Sequence, residues 1–139
     1  MRQVLLIILT FLLFSCESDK EDIEKVIDSD ILVSTLIESE NVYIEAETVK
    51  EYECITYSIE YLLETDNNNM TIHFTDVVKP DGCFHAFGPA ETKINLGNLE
   101  AGDYSVMFKL NGITTEANLT VNTISTLSIS KEQNVRIKK

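Results

Sequence analysis

"GDYSVMFKLNGITTEANLTV", residues 102–121, decides the fold class. Asn111 and Gly112 are the favoured pair for a two-residue type I′ turn, because both central positions need positive φ. Folding the chain there sets Leu110 opposite Ile113, Phe108 opposite Thr115, Val106 opposite Ala117, Tyr104 opposite Leu119 and Gly102 opposite Val121. That face is almost wholly apolar. The other carries Ser105, Met107 and Lys109 against Asn118, Glu116 and Thr114, so one side is dry and one is wet. A slip of one residue would exchange the two faces, which pins the register.

The same period of two continues on either side. Ile55, Tyr57, Ile59, Tyr61 and Leu63 alternate with mostly polar neighbours and predict one long strand with those five side chains inward, closed by "TDNNN" at 65–69. Met70, Ile72 and Phe74 alternate next, and "KPDG" at 79–82 places Pro80 and Gly82 where a tight turn wants a fixed φ and a positive φ. Shorter strands are expected over 42–48 and 92–96. From Thr123 onward Leu127 and Ile129, then Val135 and Ile137, predict an added edge strand or hairpin. The net charge of +3 over 131–139 suits an edge that must not pair with other molecules. No stretch beyond the amino-terminal region sustains a helical stripe. Short strands with turn signals at this spacing indicate an all-β chain, folded as an antiparallel β-sandwich over 41–139.

Leu99, Gly102 and Tyr104 in "LEAGDYSV" refine that expectation. They resemble the turn and tyrosine corner entering the penultimate strand of immunoglobulin-like and fibronectin type III-like domains. The resemblance implies an immunoglobulin-like sandwich with Tyr104 anchoring the corner. The antibody subtype is excluded, because Val106 stands where its cysteine would follow the tyrosine and the chain has no Trp.

The amino-terminal region reads differently. Met1 and Arg2 give a positive start, residues 4–14 are apolar apart from Thr10, and "CESDKED" follows. This is a signal-peptide profile, and the run is far short of the ~20 apolar residues a membrane-spanning helix needs. Leu13, Phe14, Ser15 and Cys16 resemble the lipobox of bacterial lipoproteins. The resemblance implies cleavage after residue 15, lipidation of Cys16 and attachment to the lipid bilayer through its fatty chains. Each buried CH₂ contributes about 0.8 kcal/mol and stable anchoring needs at least two chains, so such a cysteine holds a protein without any span. Residues 17–30 carry seven acidic residues and two lysines, so 16–40 is expected to be a flexible acidic tether. "SDKED" also resembles the short acidic export signal of some Gram-negative lipoproteins. That resemblance implies the outer membrane and display on the cell surface, with the periplasmic face as the alternative. The organisation expected is a signal peptide over 1–15, a lipidated tether over 16–40 and a β-domain over 41–139.

Charge and chemistry narrow the function by exclusion. Removing residues 1–15 takes one of the 11 basic residues and none of the 23 acidic ones, leaving a net charge of -13. Nucleic acid is not an expected partner, since phosphate binding needs clustered Lys and Arg. Once Cys16 is acylated, Cys54 and Cys83 remain as an even pair in an oxidising compartment, and a disulfide between them is expected. Because Cys54 falls on the polar side of the alternation that turns Ile55 inward, it must cross an edge or sit at a bulge.

His73 and His85 are the only neutral-pH acid-base groups, and no GxSxG, HExxH or phosphate-cradling loop accompanies them. Cys83 and His85, with or without His73, make a C-x-H spacing far below a zinc signature, and "DNNN" lacks the alternation of a calcium loop. No catalysis, cofactor or metal is expected. A binding or accessory module therefore stands first, with a protein inhibitor or structural subunit of a surface assembly as the alternative. In "VVKPDGCFHAFGPAE", residues 77–91, Phe84, His85 and Phe87 exceed what a solvated loop needs, which indicates either a packed crossover or the contact loop of such a module, whose ligand would be a protein or a glycan.

Overall fold

The computed structural model describes residues 25–83 and 85–139. The expected signal peptide, Cys16 and the expected tether as far as residue 24 lie outside the described residues, as does Phe84. The protein is all-β. Among the described residues nine strands follow in chain order: β1 (Ile31–Glu38), β2 (Asn41–Cys54), β3 (Ser58–Asp66), β4 (Asn69–Val78), β5 (His85–Gly97), β6 (Gly102–Leu110), β7 (Ile113–Val121), β8 (Ser125–Ile129) and β9 (Val135–Ile137).

The β6–β7 hairpin has the register expected of it, from Leu110 opposite Ile113 to Gly102 opposite Val121. Asn111 and Gly112 supply the positive φ angles, 52° and 74°. Tyr104, Val106, Phe108 and Leu110 are buried, and so are Thr115, Ala117, Leu119 and Val121. Tyr104 also closes its corner: its hydroxyl donates to the Glu100 carbonyl, 2.9 Å away and four residues upstream. Met70, Ile72 and Phe74 bury the inner face of β4, and Phe74 stacks on Phe108 with ring centroids 6.1 Å apart. Each such side chain taken out of water contributes about 1.5–3 kcal/mol.

The strands form one ladder in the order β8-β7-β6-β4-β3-β5-β2-β1-β9. It is mixed, because β1–β9, β3–β5 and β4–β6 are parallel pairs among otherwise antiparallel ones. The ladder is thinnest between β3 and β5, where Ser58 faces Glu91 and the Glu91 N–H donates to the Tyr57 carbonyl at 3.1 Å. Its two ends approach each other through the Thr35 hydroxyl, which donates to the Ser125 carbonyl at 3.2 Å. The sheet is thus nearly closed around a single core to which every strand but β8 gives a buried side chain, β9 through Val135.

Five expectations change. Residues 31–38, placed in the tether, form β1, with Ile31 and Val33 fully buried, and Ile27 ahead of them is buried too. The ordered domain therefore begins well before residue 41. The strand expected from Ile55 begins at Ser58, and Ile55 lies outward in the turn before it. The strands expected over 42–48 and 92–96 extend to 14 and 13 residues, and β5 absorbs half of the expected loop. Gly82 does not take a positive φ, a conformation found instead at Gly97 and Gly112 among the glycines. The tail splits in two: β8 pairs with β7 at one end of the ladder and β9 with β1 at the other.

Candidate functional site

β2 and β5 outrun the rest of the sheet. β1 stops at Ile31, opposite Thr48, while β2 continues for six more residues to Cys54, paired with the start of β5. At ~3.3 Å per residue this is a two-stranded ribbon projecting about 20 Å. A free two-stranded ribbon is marginal in water, so something must hold it. The structure supplies three devices.

The first is covalent. Cys54 and Cys83 stand at disulfide distance, Cα to Cα 5.4 Å, at the ribbon tip. Cys54 reaches this position through a register shift between Tyr52 and Cys54, the bulge that its place in the alternation required. The second is aromatic: Tyr52 stacks on Tyr57 at 4.7 Å, and the Lys50 ammonium lies 5.5 Å from the Tyr52 ring. Desolvation raises the Tyr52 phenol above its usual pKa, with the nearby lysine opposing. The third is a close approach. A Cβ on Gly88 would stand 3.1 Å from Ile55 Cγ2, so glycine is what lets Ile55 seat on the ribbon.

The tip exposes apolar surface. Phe87 is 76% exposed and Ile55 51%, with Val49 outward on β2. His85 pairs with Cys54 in register and is also exposed. Nearby, Lys79 and Glu53 form an ion pair at 2.7 Å. The hydrogen bond from Lys79, then its charge, holds the Glu53 carboxyl below the usual carboxylate range, and the same bond raises Lys79.

The expected site residues are thus distributed plainly. Cys54 and Cys83 come together, and His85 and Phe87 sit beside them on the ribbon rather than in a loop. His73 lies on β4 between Leu62 of β3 and Lys109 of β6, and β5 meets β3 at Ser58 alone, so His73 is not brought to Cys83 and His85. A sulfur engaged in a disulfide offers no thiolate to a metal.

Sequence reasoning missed Ile55, Val49 and the Tyr52–Tyr57 stack. The one signal was Cys54 itself, whose parity was incompatible with an inward Ile55.

A second concavity, about 420 Å³, lies over β9, β1, β2 and β5 and is lined by Leu32, Ser34, Glu45, Glu47, Glu91, Lys93 and Lys138. Lys138 pairs with Glu47 and Lys93 with Glu38, and Lys93 also lies 4.5 Å from the Tyr43 ring. The hydrogen bonds they donate to those carboxylates raise both ammonium pKa values. Its two cations are therefore already engaged, and it presents no group poised for chemistry.

No family model, no curated protein and no solved structure matches this chain.

Proposed function

We propose that this protein is a lipid-anchored, non-catalytic binding or accessory module of the bacterial cell envelope, displayed on the outer membrane. The observation that carries the reading is the ribbon. It is a projecting element, stapled at its tip, that keeps Phe87 and Ile55 in water at a hydrophobic cost a purely structural hairpin has no reason to bear. The lipobox-like Leu13–Cys16 run supports the anchor, and the acidic "SDKED" supports surface display. Among the described residues no helix is long and apolar enough to cross a membrane. An immunoglobulin-like sandwich remains our reading of the architecture. The Tyr104 to Glu100 hydrogen bond and the hairpin it leads into support it, while the parallel β4–β6 pair is a departure from that family's antiparallel sheets.

Mass spectrometry of the amino-terminal peptide from membrane-extracted protein tests the anchor. The expected result is a chain beginning at Cys16 and carrying acyl groups, released into buffer by Cys16→Ser. A peptide beginning at Met1 with an unmodified thiol overturns it.

A further inference from the structure

The partner of the ribbon follows from where the chain arrives. Lys25 pairs with Asp76 near the end of β4. Two residues on, the Ile27 N–H donates to Asn111 Oδ1 at 3.0 Å and Asn111 Nδ2 donates to the Ile27 carbonyl at 2.8 Å. Then the Val49 N–H donates to the Asp30 carbonyl at 2.9 Å, where the ribbon leaves the body. The chain therefore enters the fold at the pole that bears the ribbon, the Asn111–Gly112 turn and the end of β4. The turns at 39–40, 67–68 and 98–101 mark the opposite pole.

Exposed apolar side chains are gathered at the same pole. Val26, 74% exposed, and Val49, Ile55, Phe87 and Ile113 all belong to it, which leaves Ile124 at the opposite pole and Leu62 on the flank of β3 among the described residues. Three of the carboxylates there, Asp28, Glu53 and Asp76, are each met by a lysine, Lys50, Lys79 and Lys25, which softens repulsion from anionic headgroups, while Glu51 and Asp81 stay exposed.

Nine residue steps separate Cys16 from Lys25. Whatever their path, they span at most about 30 Å. From Lys25, held against Asp76, to the opposite pole at Asn69 is seven residues of β4, about 23 Å. An anchored domain can therefore bring its opposite pole to the bilayer only by laying most of that connection along its own flank, whereas the ribbon pole reaches the surface at any shorter length.

We infer that the ribbon pole docks on the same bilayer that holds Cys16, with Phe87, Ile55 and Val26 seated at the headgroup boundary. This rests on the lipid anchor proposed above and names the partner of the same site. It turns the opposite pole, with its loops at 39–40, 67–68 and 98–101, toward the medium as the face free to meet other molecules.

The chain has no Trp, so single substitutions report position. Full-length lipidated protein carrying Phe87→Trp, Val26→Trp or Asn98→Trp is placed in phosphatidylethanolamine–phosphatidylglycerol vesicles that contain acyl-brominated phosphatidylcholine. Flotation first reads the anchor, then quenching reads orientation. Because tryptophan favours the interface wherever it is placed, the Asn98→Trp protein carries the same bias and cancels it. The expected result is quenching at 87 and 26 about twofold or more above that at 98, and a fall at 26 when Phe87→Ser is added.

A protein that floats but quenches equally at all three sites overturns the docking while the anchor stands. Quenching strongest at 98 does the same and reverses the orientation. A protein that fails to float removes the anchor and the docking together. Quenching at 87 that is shielded in proportion to protein density assigns the pole to a second copy instead, and also overturns the inference.

Discussion

Ser39 and Glu40 turn β1 into β2 with φ of 48° and 70°, the left-handed conformation that a side chain occupies only at a cost. That cost is about 1 kcal/mol or more per residue, since Cβ crowds the backbone. Glu40→Gly is therefore expected to stabilise the fold by about 1 kcal/mol, read as a raised urea midpoint with an unchanged slope. An unchanged midpoint would show that the turn relaxes without strain. A second residue is costly for a different reason. Thr115 is fully buried opposite Phe108, and its hydroxyl has no hydrogen-bond partner among the described residues. Thr115→Val keeps the shape and removes an unsatisfied polar atom, and should stabilise by about 1–2 kcal/mol in the same assay. Lys79 and Glu53 set a third expectation. With its folded pKa depressed, Glu53 contributes stability that is present above the ordinary carboxylate range and lost as pH falls through the lowered value. In Lys79→Met the Glu53 carboxyl should titrate upward, back toward its ordinary range, when followed by carbonyl NMR.

At the scale of elements, the ribbon and the hairpin are held by opposite means. The β6–β7 hairpin needs only its turn and its inner face, because Asn111 and Gly112 adopt positive φ without strain and four inward side chains on each strand bury against the core. Projecting past β1, the ribbon has no such backing and depends on the Cys54–Cys83 bridge. Closing a loop with a sequence separation of 29 contributes roughly 3 to 4 kcal/mol in the chain-entropy model. A Cys54→Ala, Cys83→Ala protein should lose about that much, with amide exchange accelerating first over 85–90 and 49–54 while 102–121 stays protected. Uniform acceleration across both elements would mean that the ribbon and the body unfold as one unit. These two elements also differ in how far the sequence disclosed them. The hairpin was legible residue by residue, because a turn dipeptide and strict alternation agree. Residues 55–63 were misread at their start: Ile55, Tyr57 and Ile59 share a parity whether the strand begins at 55 or at 58. Only the bulge at Cys54 and the close approach to Gly88 show Ile55 turned outward.

For the whole molecule, the decisive event is closure of the sheet. β9 completes β1 in parallel, the Ile31 N–H donates to the Asn134 carbonyl at 2.9 Å, and Arg136 pairs with Asp30 at 2.9 Å. The last strand thus secures the first, and residues read as a tether become core. The apolar, β-branched run of residues 31–37 was masked as a strand signal, because its turn uses Ser39 and Glu40 instead of asparagine and glycine, and acidic residues before it resemble a spacer. Taken alone, the sequence determined what depends on neighbours along the chain: the all-β class, the Asn111–Gly112 hairpin with its register, and the inward set on β4. These follow from period-two burial and local turn chemistry, which act over a few residues. Tertiary structure alone decided the order of strands, the parallel pairs, the inclusion of residues 31–38 and the gathering of Val26, Val49, Ile55, Phe87 and Ile113 at one pole. Each of those rests on contacts between residues tens of positions apart, and alternation along one strand carries no record of which strand will lie beside it.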